Sequence, residues 1–190
     1  IAIAGIGMDV PRLEEAIIER RMHFEEAARS IATIAEVPIR QAKAIAGSPQ
    51  QTAAYIRASY GLDLLSSRKQ ELGKYANSYP IIKHINNYRH ERKLLGTYLE
   101  PWRRLIDKQK DGRIHSVYRL ANSRTGRTSA ELAEGGSLQL APREEWLRAL
   151  VVARQEELGD EWEVLAADYS QIELRVIAWL APEPTMASLF

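Results

Sequence analysis

One amphipathic pattern near the start of the chain constrains the fold more than any other feature. Apolar residues recur at three- and four-residue spacing from Leu13 to Ile31, which is the repeat of a helix with one buried face. Asp9 can cap such a helix, and Pro11 is tolerated in its first turn. We therefore predict one helix from Asp9 to about Glu36. A helix of this length needs other elements packed along it.

Two further helices are indicated by their ends. Ser48 followed by Pro49 is a typical helix start, and Gly61 is a typical stop. Pro80 begins another helical pattern, which we predict to run past Leu95. These signals make the chain helical up to about residue 108.

The rest of the chain mixes strand and helix signals. A turn at "KDGR" precedes "RIHSVYRLA", which alternates imperfectly and predicts a strand. Residues 122–143 contain three glycines and a proline and read as a loop, and a short helix is predicted from Glu144 to about Glu157. The predicted fold class is α+β: a mainly helical region followed by a mixed α/β region.

A short apolar run near the end of the chain leads into a carboxylate. Val164–Ala167 predicts a buried strand, and Asp168 follows it directly. Ser170 and Glu173 have the spacing of a capping box, in which each side chain satisfies a backbone N–H at a helix start. The helix is predicted to end at about Leu180, because two prolines follow. Asp168 is thus predicted where a strand ends and a helix begins, which is where open sheets tend to hold their chemistry.

Composition excludes several classes of protein. The 190 residues include no cysteine, which excludes disulfides, thiolate zinc sites and cysteine nucleophiles. No apolar run reaches the length that spans a membrane. The sequence begins at Ile1 rather than at a methionine and stops soon after a helical pattern, so we expect a piece of a longer protein.

The net charge of +1 conceals a basic middle. Residues 83–128 contain 12 Lys and Arg against 4 Asp and Glu, which leaves 14 basic and 21 acidic residues elsewhere. Arg89, Arg92 and Lys93 share one arc of the predicted third helix, and such an arc suits phosphate contacts. The alternative is a solvated helix face, with Glu91 on its opposite side.

Two other places could carry chemistry. Arg124 and Arg127 flank a glycine in the predicted loop, either as a clamp on phosphates or minor-groove acceptors, or as a plain surface turn. Asp168 could bind Mg²⁺ together with waters and phosphates. Its alternative is a carboxylate that favours the start of a helix, and the capping box is the alternative for Glu173.

Read together, these motifs resemble family A DNA polymerases of the bacterial DNA polymerase I type. "ADYSQIELRV" matches the eight-residue core of that family's first polymerase motif at every position. "TGRTSA" is similar to its Thr-Gly-Arg-Leu-Ser-Ser, and "LQLAPR" to its Leu-Gln-Asn-Ile-Pro. The family's R-x-x-x-K-L-x-x-T-Y signature is matched from Arg89 to Tyr98.

The resemblance implies a template-directed nucleotidyl transfer from dNTPs to a primer 3′-hydroxyl by two Mg²⁺ ions. It implies a helical thumb over residues 1–96 and the first part of a palm over residues 97–190. The partners it implies are primer-template DNA and dNTPs, with no membrane. We expect a monomer in the cytoplasm of a bacterium, encoded by the bacterium or by a phage, in DNA replication or repair.

Roles follow residue by residue from the same resemblance. Asp168 is the catalytic metal ligand, and the Tyr169 backbone carbonyl also binds the metal. The nucleotide-binding residues are Ser170, Gln171 and Glu173, of which Glu173 lies beneath the sugar and excludes a ribose 2′-hydroxyl. The DNA-binding residues are Arg89, Lys93, Thr97, Arg127 and Gln139.

The sequence departs from the family pattern at several positions. Thr128, Ala130 and Leu140 replace the usual Leu, Ser and Asn, and Ser137 stands where Asn is usual. The family's His-Asp-Glu motif, which carries a second metal-binding carboxylate, has no match in the sequence. We therefore expect this chain alone to be inactive. The alternatives are a non-catalytic DNA-binding fragment, a degenerate polymerase relic, or a relative of single-subunit RNA polymerases, against which Glu173 argues.

Overall fold

The computed structural model describes residues 5–64, 66–119, 124, 127–135, 137–153, 163, 165, 167–181 and 184–189. Its internal contacts divide the chain into two compact units, Ile1–Val152 and Ala153–Phe190. Both hydrophobic cores formed by the described residues lie in the first unit.

The first part of this unit is almost entirely helical. Its helices are α1 (Val10–Ala35), α2 (Ile39–Gly47), α3 (Pro49–Tyr60), α4 (Lys69–Gly73), α5 (Pro80–Lys93) and α6 (Glu100–Gln109), with a π-helical segment (Leu94–Leu99) between α5 and α6. This agrees with the helical region predicted up to about residue 108. The patterns above do not predict α2, which lacks a side-chain cap, or α4, which has only 5 residues.

The predicted caps of α1 and α3 are present. The Asp9 side chain accepts a hydrogen bond from the Arg12 backbone N–H at 3.1 Å, and α1 ends at Glu36 in the left-handed conformation. The Ser48 hydroxyl accepts from the Gln51 backbone N–H at 3.4 Å. Gly61 ends α3 at a φ of +67°, a conformation that costs glycine little.

The third predicted helix runs past Leu95 as expected, and one of its residues is placed differently from the solvated-face alternative. It begins at Pro80 as predicted, but the helical path continues through the π segment to Gln109. The alternative of a solvated face placed Glu91 on the opposite side of the helix for solubility, but it is buried, with 7% of its surface exposed. Arg20 of α1 lies 3.5 Å from one oxygen of its carboxylate and gives the buried charge a partner.

Two apolar cores hold the first unit together. The first gathers around the π segment and α6, and its fully buried side chains include Leu13, Leu94, Leu99, Trp102, Ile114 and Leu147. The second lies among α1, α2, α3 and α5, and includes Ala28, Ile31, Ile56, Ile81 and Ile85. Each large aliphatic side chain among them contributes about 1.5–3 kcal/mol on burial, so the second core holds α5 against its neighbours and the first holds the π segment that continues it.

Short antiparallel strands complete the first unit. β1 (Ile6–Met8) lies between β2 (Arg113–Ile114) and β5 (Val151–Val152), with Ile6 opposite Ile114 and Gly7 opposite Val152. β3 (Val117–Arg119) pairs with β4 (Ser129–Glu131). The predicted strand after the turn is thus two strands, β2 and β3. The predicted loop over residues 122–143 contains β4 and a 3₁₀ turn, Leu138–Leu140.

The helix predicted from Glu144 to about Glu157 is wrong over most of its length. The observed helix α7 covers only Glu145–Arg148, and β5 follows it. β-branched valines fit a strand better than a helix, and β1 offers them an edge to pair with. Residues 154–157 lie outside the described part of the chain.

The second unit contains α8 (Ile172–Leu180) and α9 (Pro184–Ala187). The predicted strand Val164–Ala167 is not formed at its two described residues: Leu165 and Ala167 are outside any strand, and Leu165 is 92% exposed. A strand needs a neighbour to satisfy its backbone groups, and the described residues of this unit form none. Residues 164 and 166 are outside the described part.

The capping box predicted for α8 is also wrong. The helix is capped by Gln171, which has a left-handed φ of 52° and makes no side-chain cap bond. Its backbone conformation moves the helix start past Ser170, whose carbonyl instead accepts from Arg175 Nε at 2.9 Å. The predicted end of the helix at Leu180 agrees with the structure. Within the described ranges, no helix has the length and apolar character to cross a membrane.

Candidate nucleic-acid interface

An open groove in the first unit collects the basic residues of α5. Its volume is about 950 Å³, and it is lined by the end of α2, the start of α3, the chain before and at the start of α4, the end of α5 and the π segment. Its charged lining residues are Arg68, Lys69, Arg89, Arg92 and Lys93, and none of the described residues that line it is acidic. Such a surface attracts polyanions.

The groove brings together three of the residues predicted from the sequence. Arg89, Lys93 and Thr97 all line it, and the side chains of Lys93 and Thr97 are exposed there. Sequence reasoning did not select Arg68 and Lys69. The two residues follow two serines in "SSRK". This basic pair after short polar residues is the sequence signal that could have indicated a second basic segment of the groove.

Arg89 differs from its neighbours because its guanidinium makes bonds inside the protein. Its Nε donates to the Ala46 carbonyl at 2.7 Å, and its Nη2 donates to the Thr52 hydroxyl at 2.7 Å. Its Nη1 donates to the Ser67 carbonyl. Partial burial disfavours the charged form and lowers the pKa of Arg89 from its usual value.

Arg92 lies against a glycine at the end of α2. A Cβ added to Gly47 would stand 2.9 Å from Arg92 Nη1, so the glycine leaves room for the guanidinium. Arg92 itself is exposed. The end of α2 and the last turn of α5 therefore share one wall of the groove.

The side-chain amide of Gln139 joins the "TGRTSA" and "LQLAPR" motifs. Gln139 Oε1 accepts from the Ala130 backbone N–H at 3.0 Å, and Gln139 Nε2 donates to the Thr128 carbonyl at 3.1 Å. This holds the "LQLAPR" turn against β4 and next to Arg127, whose side chain is exposed. Arg127 and Gln139, predicted together, are thus neighbours in the fold.

The third motif is attached to the same turn. The Tyr98 hydroxyl donates to the Leu140 carbonyl at 2.7 Å, across 42 positions of sequence. Thr128, Ala130 and Leu140 are three of the four positions that depart from the family pattern. All three make these contacts through the main chain, so these bonds do not depend on which side chain the position carries.

The predicted metal and nucleotide residues lie in the second unit. Asp168, Tyr169, Ser170, Gln171 and Glu173 are all exposed. Gln171 has positive φ, which is uncommon outside glycine and is found preferentially at functional sites. The described residues include no group of three or more His, Cys, Asp or Glu placed to hold a metal ion.

The donors at Asp168 and Tyr169 nonetheless suit Mg²⁺ chemically. Mg²⁺ prefers oxygen ligands, and it commonly uses one or two carboxylates and keeps several waters. One carboxylate and one main-chain carbonyl, both near a helix start, are donors of this kind. The described residues thus offer a partial ligand set.

Comparison with known proteins identifies the family. A model of DNA polymerase family A matches residues 12–190. The chain belongs to DNA polymerase family A. The thermostable DNA polymerase I of Thermus filiformis is 29% identical to this family A chain over 197 residues, covering 98% of the chain and 22% of that protein. DNA polymerase I of Chloroflexus aurantiacus is 35% identical over 138 residues, covering 70% of the chain and 14% of that protein.

A solved structure agrees with the fold of this family A chain. The POL domain of Pol1 from M. smegmatis, in complex with DNA primer-template and dNTP, matches it with a TM-score of 0.72 at 26% identity. The match covers 95% of this chain and 32% of that one. The α+β class and the resemblance predicted from the sequence are both confirmed. The chain spans only about a fifth of the length of the Thermus relative.

Proposed function

We propose that this chain is part of a DNA-directed DNA polymerase that adds nucleotides from dNTPs to a primer 3′-hydroxyl as a template directs. The observation that carries the proposal is the unbroken match of Asp168–Arg175 to the first polymerase motif, in a chain of family A. Residues 1–96 would act as the thumb and residues 97–190 as the start of the palm. The boundary falls inside the π segment.

In this proposal Asp168 and the Tyr169 carbonyl are metal ligands. Mg²⁺, when bound, would activate the primer hydroxyl and stabilise the leaving pyrophosphate. Asp168 is exposed and can reach an ion that carries substrate phosphates. Since two ions need more carboxylates than this one, we expect the 190-residue chain alone not to extend primers.

The exposed start of α8 is proposed as the floor of the nucleotide pocket. Ser170 and Gln171 would contact the incoming dNTP, and Glu173 would exclude a 2′-hydroxyl. A carboxylate in the first turn of a helix is favoured by the helix dipole, so the start of α8 accommodates Glu173 in that role.

The basic groove is proposed to bind the DNA backbone. Lys93 and Thr97 are exposed donors in its wall, and phosphate contacts of this kind set position rather than sequence preference. Arg68, Lys69 and Arg92 add charge to the same surface. Arg127 and Gln139 are proposed to contact primer and template in the minor groove.

Replacing Asp168 by Asn in the complete enzyme tests the proposal. We expect primer extension to be almost lost while the affinity for primer-template stays within about twofold, because the amide removes a metal ligand without changing the groove. The measurements are single-turnover extension and DNA binding by fluorescence anisotropy. If rate and affinity fall together, Asp168 has a structural role and the assignment fails.

A second candidate is a segment that binds DNA without catalysis. It is favoured by the groove of the first unit, which carries five basic side chains. The same variant separates the two: unchanged extension by Asp168→Asn would leave only the binding role.

We also propose that the chain acts on DNA in a bacterial cytoplasm, which the matches to bacterial DNA polymerase I proteins support. The monomer expected from the sequence stays a prediction.

A further inference from the structure

Arg89 connects three separate pieces of the groove wall. Its nitrogens donate to the Ala46 carbonyl near the end of α2, to the Thr52 hydroxyl in α3 and to the Ser67 carbonyl just before α4. The acceptors span 21 positions of sequence, and the guanidinium is the common partner of all three. A planar fork with fixed donor directions suits such a bridge, whereas an ammonium group does not reproduce it.

Each acceptor needs a donor. The Ala46 carbonyl lies in the last turn of α2, where carbonyls have no partner within the helix. Thr52 is fully buried and Ser67 is 8% exposed, so their polar atoms have little access to water. Loss of a partner at such a site costs the full desolvation of the acceptor.

Its two basic neighbours on the last turn of α5 are in a different situation. Arg92 and Lys93 are exposed in the groove, while Arg89 is only partly exposed. The sequence places the three on one arc of the helix, which suits either phosphate contacts or a solvated face. The bonds of Arg89 instead distinguish it from the other two.

We propose that Arg89 is a positioning residue, which holds α2, α3 and the chain before α4 so that Lys93 and Arg92 face a common phosphate backbone. Its contribution to DNA binding then acts through its neighbours rather than through a phosphate of its own. The proposal deepens the proposed function of the groove and rests on it.

The test compares Arg89→Lys, Arg89→Met, Lys93→Met and the Arg89→Met/Lys93→Met pair in the 190-residue chain. Affinity for a primer-template duplex is measured by fluorescence anisotropy at several salt concentrations. A positioning role predicts that Arg89→Lys loses affinity as strongly as Arg89→Met, by about tenfold, because the charge is kept but the bridge is not. It also predicts that Lys93→Met costs much less in the Arg89→Met background than alone.

Amide hydrogen exchange provides a readout that needs no DNA. Arg89→Lys should speed exchange in residues 44–53 and 66–72, which carry the acceptors, while Lys93→Met should leave those segments unchanged. Unchanged exchange in Arg89→Lys would overturn the bridge itself. A wild-type chain that does not bind the duplex would contradict the proposed function of the groove, whatever the exchange shows.

Two binding outcomes would also overturn the proposal. If Arg89→Lys keeps wild-type affinity and salt dependence while Arg89→Met loses both, Arg89 contacts a phosphate directly. If the losses at Arg89 and Lys93 add, with exchange changed only through lower global stability in urea unfolding, Arg89 has a purely structural role.

Discussion

Glu173 is a residue for which the structure separates two roles that the sequence leaves open. Its spacing from Ser170 predicts a capping box, but α8 is capped by Gln171 without a side-chain bond. The capping box with Ser170 as the cap residue, worth about 1 kcal/mol, is therefore not the arrangement at the start of α8. Its proposed place beneath the nucleotide sugar remains.

Replacing Glu173 by Ala in the complete enzyme should relax the choice of sugar. In the proposed pose the carboxylate fills the space that a 2′-hydroxyl would need, and this clash is worth about 1–3 kcal/mol or roughly 5- to 150-fold. The measurement is the ratio of kcat/KM for a dNTP to that for the matching ribonucleotide. Recording Tm alongside keeps lost stability apart from lost selectivity, and a preserved ratio would disprove the gate.

A substitution at Gly47 tests whether Arg92 contacts DNA without removing any charged side chain. An alanine Cβ would stand 2.9 Å from Arg92 Nη1, and the flexible guanidinium must move away. Gly47 has no positive φ, and alanine is the better helix former by up to about 1 kcal/mol. We expect Gly47→Ala to keep or slightly raise the free energy of unfolding while weakening duplex binding.

The control for this variant is Gly73→Ala. Gly73 also ends a helix without positive φ, and an added Cβ would meet nothing within 4 Å. It should change the urea midpoint without changing affinity. Equal affinities for Gly47→Ala and the wild type would remove Arg92 from the proposed contact surface.

At the scale of elements, the sequence predicts helix ends well and strands poorly. Asp9, Ser48 and Gly61 act within a few residues of themselves, so their local chemistry decides the result. β5 depends instead on an edge of β1, which is far away in sequence. The local sequence around Val151 favours a helix. It contains no information about the distant strand β1, whose edge makes Val151 and Val152 a strand.

The same limit applies to motifs. "TGRTSA", "LQLAPR" and the signature ending at Tyr98 can each be recognised in the sequence, but their joining through Gln139 and the Tyr98 hydroxyl cannot. These bonds use the main-chain groups of Thr128, Ala130 and Leu140. The identity of the side chains at these positions therefore does not predict the bonds. The folded structure supplies the connection between motifs.

Tyr98→Phe tests that connection. Tyr98 is 3% exposed, so the loss of its bond to the Leu140 carbonyl should cost about 1 kcal/mol of unfolding free energy. Amide exchange should accelerate over residues 138–141, because the turn loses its attachment to the π segment. Tyr118→Phe on the exposed strand β3 is the control, and similar changes in both variants would contradict the assigned role of the bond.

At the scale of the whole molecule, the net charge of +1 gives no sign of the groove. The excess of basic residues over 83–128 does indicate it, and α5 carries part of that excess into the groove. Arg68 and Lys69 lie outside this window, and the fold of α3 and α4 against α5 brings them in. Arg89 is only partly exposed because its guanidinium bonds inside the protein. The periodicity of α5 alone does not predict this difference from Arg92 and Lys93.

The salt dependence of duplex binding measures the groove as a unit. Each Lys or Arg that neutralises a phosphate adds about 0.9 to the slope of log affinity against log salt. Lys93→Ala should weaken binding by a similar factor for all DNA sequences and reduce the slope by about one.

Lys83→Ala is the matched control, since Lys83 is an exposed lysine of the same helix that does not line the groove. It removes the same charge and should leave the slope nearly unchanged. If both variants lower the slope equally, the basic charge of α5 attracts DNA only through its long-range field, and the groove is not the contact surface.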